Sequence, residues 1–364
     1  MSGVHHPVES GRNGGQVSSR SWWIYRGTGQ PLADIRLGDV LPPPPGWRDF
    51  DGGPVLPPVA AESAETDRRL GAVGRATPRQ DPHDIDMINT ALLLRRPLLV
   101  TGRPGIGKST LAYLVARELG LGRVLHWGIT SRSTLRSGLY EYDAIGRAQA
   151  SLGQGRAGAP VPPEEPEDTG GRARIGDFVR LGPLGTALLP YELPRVLLID
   201  ELDKGDIDLP SDLLHVLENG AYDIPELVRA RHREGQAEVF TDDPDQRVTV
   251  TDGRVRCRAF PFVVITSNGE RQFPPAFLRR CVRLDVSPPR EDQLAAMIAA
   301  HFRDQGGRHD AMIRAFMERS RQNGGLATDQ LLNAVFLRTA GVREDEEAWG
   351  ELLDALWREL SGSP

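Results

Sequence analysis

The chain has 364 residues, with 44 Lys and Arg against 50 Asp and Glu, a net charge of −6 and a pI near 5.8. That length carries one full α/β core and a second, smaller domain, and the acidic balance excludes a global cationic field for nucleic acid or anionic membrane, arguing mildly for a protein partner. Two cysteines, Cys257 and Cys281, exclude a disulfide framework and fit a reducing cytosol.

In chain order, residues 1–20 read as a disordered tail. They have no apolar signal core, and His5 and His6 belong to that Gly/Ser-rich tail rather than to a metal site. No later stretch approaches the ~18 apolar residues that span a bilayer, so a soluble, cytoplasmic protein without a membrane partner is expected. Residues 21–80 form a Trp/Pro-rich arm. Pro42–Pro45 favours polyproline II, and Trp22, Trp23 and Trp47 are costly to leave in water, so the arm is expected to pack on the core or on a neighbour.

An α/β core is expected over 81–288. IDMINTALLLRR has helical spacing, and five short apolar runs read as strands: PLLVT (97–101), RVLHW (123–127), RVLLID (195–200), PFVVITS (261–267) and CVRLDV (281–286). Helical segments separate most of them, the pattern of a mostly parallel sheet flanked by helices on both faces. Residues 147–174, rich in Gly, Pro, Ala and Glu, read as a flexible insert. A second insert, 226–259, ends in QRVTVTDGRVRCRAF, a β-hairpin around Asp252-Gly253. From 289 to 364 the periodicity turns helical, a small C-terminal α-helical lid.

The strand PLLVT runs into Gly102, Arg103, Pro104, Gly105, Ile106, Gly107, Lys108 and Ser109, which match G-x-x-x-x-G-K-[ST], and a helix follows from Ser109 and Thr110. Such glycines let backbone N–H groups surround a β-phosphate, Lys108 reaches the β/γ oxygens, and Ser109 offers a hydroxyl to Mg²⁺. The strand RVLLID delivers Asp200 and Glu201 at its carboxyl end, where ligands of open α/β sheets gather. Asp200 would hold Mg²⁺, and Glu201 would orient or deprotonate the attacking water. Adjacent strand residues point to opposite faces, so Glu201 must sit where the strand ends. The strand PFVVITS is followed by Asn268, able to hydrogen-bond that water. ATP with Mg²⁺ is the expected cofactor pair.

The order of these three motifs resembles the AAA+ ATPases over roughly residues 84–362, as Walker A, Walker B and sensor 1. RIGDFVRLGPLGTALL, DELDKGDIDLPSDLLHVLENG and the hairpin RVTVTDGRVRCRAFPFVVITSN are similar to the MoxR-like branch of the helix-2-insert clade and to the McrB motors. The resemblance implies a ring, expected to be a hexamer, with hairpins touching a client. It also implies a chaperone-like role with a von Willebrand A-domain partner, in a bacterial defence or conflict setting. By position Arg280, and behind it Arg279, resembles the arginine finger that reaches a neighbour's γ-phosphate. The chain departs from the pattern at the lid: Gly324 to Leu332 contains no sensor 2 arginine, and Arg338 lies more than two helical turns beyond it. Two alternatives follow, a slowly hydrolysing ATP-gated switch or scaffold, and a McrB-like nucleic-acid-associated motor using Arg229, Arg231, Arg233, Arg254, Arg256 and Arg258.

Overall fold

A computed structural model describes residues 20–32, 36–60, 63–74, 80–154, 174–302, 309–322, 325–341 and 346–357. The tail expected over 1–20, apart from Arg20, lies outside the described residues, as does 155–173 of the insert expected over 147–174. The described beginning of that insert departs from the flexible reading, because Ala144–Gln154 is a helix. Its alanines and glutamines are good helix formers, and their local propensity acts before the Gly/Pro-rich run begins.

The strands, in chain order, are β1 Leu98–Thr101, β2 Leu125–Gly128, β3 Tyr140–Tyr142, β4 Val179–Leu181, β5 Val196–Asp200, β6 Ala221–Asp223, β7 Gln236–Phe240, β8 Arg247–Thr251, β9 Arg254–Arg256, β10 Phe262–Ser267 and β11 Val282–Asp285. The five strands expected from apolar runs form one sheet in the order β11-β1-β10-β5-β2, and every pairing is parallel. Parallel strands need crossovers, which helices such as Thr110–Leu119 and Leu209–Asn219 supply. Alternate residues feed two apolar clusters. Leu98, Val100, Val196, Leu198 and Val264 face the helices Pro82–Leu94 and Thr110–Leu119, whereas Leu99, Leu197, Ile199, Val263 and Ile265 face the opposite layer. The fold is α/β, with a parallel sheet flanked by helices and a C-terminal helical bundle.

That opposite layer contains a second sheet, in the order β3-β4-β7-β8-β9-β6. It extends beyond the one hairpin expected around Asp252-Gly253. β8 and β9 do turn around Asp252-Gly253, pairing Thr251 with Arg254, but β8 lies mainly against β7, β9 against β6, and β4 is parallel to β7. Strands β3 and β4, which flank the first insert, thus join β7, β8 and β9 of the second, because each group has one apolar face (Val179; Val239, Val250, Val255) that only the other and the main core can bury. A bidentate pair ties the sheets together: Arg195, preceding β5, donates to both carboxylate oxygens of Asp243 at 2.6 and 2.8 Å, with both side chains 2% exposed.

The arm packs on its own core. Asn89 Oδ1 accepts from Ile24 N and Tyr25 N, Asn89 Nδ2 donates to Tyr25 O, and Trp23 Nε1 donates to Asp86. The buried Glu118 carboxylate accepts from the N–H groups of Arg26, Thr28 and Gly29 and from the Thr28 hydroxyl. Trp47, by contrast, is 74% exposed. The C-terminal helices Glu291–His301, Asp310–Gln322 and Thr328–Thr339 enclose a third core around Ile298, Phe316, Val335 and Trp357. Among the described residues no helix is long and apolar enough to cross a membrane.

Candidate nucleotide site

At the carboxyl ends of β1, β5 and β10 lies a cavity of about 470 Å³. It is lined by the loop Pro104–Thr110, by Asp200, Glu201, Thr266 and Asn268, by Arg69 and Leu70 from the arm, and by Thr328, Asp329 and Leu332 from the lid. The loop following β1 turns through positive φ at Gly102, Gly105 and Gly107. At Gly102 a Cβ would stand 2.8 Å from Val286 O, so only glycine lets the loop pass the end of β11. Lys108 is buried, and its ammonium donates to Gly102 O at 2.9 Å, Arg103 O at 2.8 Å and Asn268 Oδ1 at 2.7 Å. Burial holds its pKa below the ordinary lysine value, while Asp203, Asp200 and Glu201 oppose that shift.

Asp200, the last residue of β5, is the centre of a polar cluster. Its Oδ1 accepts from the Ser109 and Thr266 hydroxyls, each at 2.6 Å, and His126 Nε2 on β2 lies 3.3 Å from Oδ2. Burial pushes its carboxyl up, but hydrogen bonding by His126, Ser109 and Thr266 outweighs this and holds the pKa down at about 2. Ser109 and Asp200 present hard oxygen donors side by side. This suits Mg²⁺, which takes one or two protein oxygens and completes its shell with phosphate and water. Among the described residues no group of three or more His, Cys, Asp and Glu forms a separate metal centre.

Glu201 leaves the strand with φ 59° and ψ 50°, in the left-handed region. The sharp turn answers the problem of consecutive acids: instead of pointing to the far face, Glu201 swings back to the same cavity. Its N–H donates to Thr266 Oγ1 at 2.8 Å, one carboxylate oxygen accepts from Asn268 Nδ2 at 3.3 Å, and the other accepts from Lys204 Nζ at 2.8 Å. Asn268 is itself fixed from behind: Asp203, 3% exposed, accepts from the N–H groups of Asn268 at 2.9 Å and Glu270 at 3.0 Å.

The structure brings the loop residues, Asp200, Glu201 and Asn268 to one cavity, and leaves Arg279 and Arg280 outside it. Both arginines precede β11 at the end remote from the glycine loop: Val282 N bonds Pro97 O, at the opposite end of β1. A four-residue strand, about 13 Å long, separates them from their own cavity. Arg280 Nε is 3.6 Å from Glu218. At the lid, Gly324 lies outside the described residues. Thr328 N and Oγ1 both donate to Gly105 O, at 2.9 and 2.7 Å, and Asp329 faces the cavity where the resemblance would place an arginine. Arg338 is exposed and does not line the cavity. Arg254 and Arg256 stand on the outer face of β9, paired with Asp223 and Asp51.

Sequence reasoning missed His126, Asp203, Thr266 and Thr328 as site residues. His126 had a signal, a polar residue within an apolar strand, and Thr266 stands one strand over from Asp200. Asp203 and Thr328 had none, because their partners are backbone groups 65 and 223 residues away.

No protein-family model and no curated protein matches the chain. Among solved structures it is similar to PCH-2 of C. elegans, with 14% identity, 84% of this chain and 75% of that chain covered, and a TM-score of 0.38. It is also similar to the RuvB Holliday junction branch migration motor of Thermotoga maritima, with 14% identity, 71% and 61% covered, and a TM-score of 0.34.

Proposed function

We propose that the chain is an AAA+ ATPase that binds and hydrolyses Mg-ATP at the subunit interfaces of a ring. The observation that carries this reading is the convergence of Lys108, Ser109, Asp200, Glu201 and Asn268 on one cavity, from three strand ends and a glycine loop. Backbone N–H groups of the loop and the Lys108 ammonium bind the phosphates. Ser109 and Asp200 would hold Mg²⁺, which neutralises phosphate charge when bound. Glu201 accepts a proton from the attacking water, and Asn268, held by Asp203, fixes that water's position. Arg280 serves the neighbour's site, since β11 separates it from its own.

The MoxR-like assignment, a hexamer, a remodelled client and a von Willebrand A-domain partner rest on the sequence resemblance. The test is ATPase rate against protein concentration, followed alongside by light scattering. A shared site predicts a rate rising faster than linearly as oligomers form. Strictly linear scaling of a monomer would sink it.

A second reading, the slowly hydrolysing switch, is favoured by Asp329. The lid meets the loop through Thr328 and offers a carboxylate where an arginine would neutralise the γ-phosphate. Glu201→Gln then traps the ATP-bound assembly. Wild-type turnover of several per second would rule the switch out.

A further inference from the structure

Trp47 stands out from the arm into solvent. It is 74% exposed, more than Trp22 at 39% or Phe336 at 59%. It is also rigidly presented. Pro45 leads through Gly46 into a short 3-10 turn, Gly46–Arg48, closed by Arg48 N donating to Pro45 O at 2.7 Å, and Arg48, 4% exposed, donates to Leu217 O at 2.6 Å and Glu218 at 2.5 Å. A large aromatic side chain held out on a pinned turn has little conformational entropy to lose on binding, as at interface hot spots.

Its surroundings indicate what binds there. The Glu218 carboxylate gripped by Arg48 also holds Arg280, so Trp47 and Arg280 belong to one face. Arg279 and Arg283 add exposed positive charge beside it. The cavity has the opposite character: four carboxylates, Asp84, Asp200, Glu201 and Asp329, line it against Arg69 and Lys108. The cavity side also has an exposed aromatic. Phe336 stands one helical turn beyond Leu332, which lines the cavity, on the same stripe of the lid helix. One chain therefore carries a basic face with a projecting Trp and, elsewhere, an acidic cavity flanked by a projecting Phe.

We propose that Trp47 is the apolar anchor by which the Arg280 face docks on the nucleotide cavity of a second copy of this chain, against the neighbour's Phe336. This rests on the shared-site reading above and specifies its interface. The contact is heterologous, each copy using both halves, which is the geometry that closes rings. Charge steers the approach, and the aromatic pair supplies desolvated area.

The experiment uses the full chain in a Glu201→Gln background with ATP and Mg²⁺. Trp47→Ser and Phe336→Ser are each expected to weaken assembly at least tenfold by analytical ultracentrifugation, with ATP affinity at dilute concentration and thermal melting unchanged. Trp47→Cys mixed with Phe336→Cys and treated with diamide, which takes up the two electrons and two protons of the thiols, should give an inter-chain disulfide when ATP is present; Cys257 and Cys281 are buried and stay silent. A parent chain that assembles, with both serine variants assembling equally well and no cross-link, overturns this inference and leaves the shared site standing. That outcome would leave Trp47 to a client. A parent chain that never assembles overturns both.

Discussion

The two sheets of this protein place their residues by different means. In the parallel sheet the three central strands β1, β5 and β10 are apolar, buried runs, and the residues at their carboxyl ends, Gly102, Asp200 and Asn268, are set at one end simply because the strands are parallel and in register. In the six-stranded sheet the strands alternate between buried and exposed residues, come from stretches of chain before, between and within the inserts, and meet through the β4–β7 pairing, which joins Arg180 to Phe240. The first sheet aims chemistry at a cavity, and the second supports the first from outside. Perturbing the first should therefore change rate, and perturbing the second should change stability.

The largest effect is expected at Glu201. Glu201→Gln keeps the size of the side chain but removes the proton acceptor, so turnover should fall about 10²–10⁴-fold. Both melting temperature and ATP binding should stay close to wild type, since Glu201 is half-exposed and its partners are Lys204 and Asn268. Single-turnover kinetics with a parallel thermal melt checks this. A large drop in melting temperature would break the separation of roles.

Next is Asp243→Ala in the second layer. It strands the Arg195 guanidinium, 2% exposed, at the start of β5. Breaking a buried pair in this way costs about 3–5 kcal/mol. Urea unfolding should show the loss, and turnover measured well below the new midpoint should change much less than in Glu201→Gln.

The same contrast decides what could be read in the sequence. Five strands, their parallel arrangement and the residues at their ends were legible, because an apolar run followed by glycine or acid is local information. The left-handed turn at Glu201 was half legible: two consecutive acids demand a chain reversal, but not its dihedral angles. The second sheet was not legible, since only Val255 reads as part of a hairpin, and nothing near Val179 or Val239 shows that a common core buries all three. The fate of the arm also depended on distant partners. Nothing near Tyr25 announces that Asn89 receives its backbone N–H or that Glu118 receives those of Arg26, Thr28 and Gly29, and nothing near Trp47 says it stays in solvent.

A smaller effect, again in the parallel sheet, comes from Asp200. Its folded pKa is about 2, depressed from the ordinary 3.8. A depressed acid stabilises the fold above the unfolded value and loses that contribution as pH falls through the folded one. Without nucleotide and Mg²⁺, the advantage of wild type over Asp200→Asn should be full above about pH 5, on the order of 2 kcal/mol. It should fade between about pH 4 and pH 2. A difference independent of pH in urea titrations would mean that the Ser109 and Thr266 hydroxyls do not favour the ionised form.

The smallest effect belongs to the outer face of the second sheet. Arg254 pairs with Asp223 at 3.0 Å, but the two side chains are 68% and 53% exposed. Water screens such a pair, and ordering two mobile side chains offsets most of its attraction, so its net worth is within about 0.5 kcal/mol. Arg254→Ser should barely move the unfolding midpoint, and added salt should reduce even that shift. The neighbouring Gly253→Ala provides the contrast. Its φ is +71°, and a Cβ there would lie 2.4 Å from Val228 N, so the turn must distort although no charge is touched. If Arg254→Ser proved the more destabilising of the two, the outward arginines would be structural. The measured order of the pair therefore tests whether the second sheet stands on its buried face and its turn, with its exposed charges left available for contacts outside the chain.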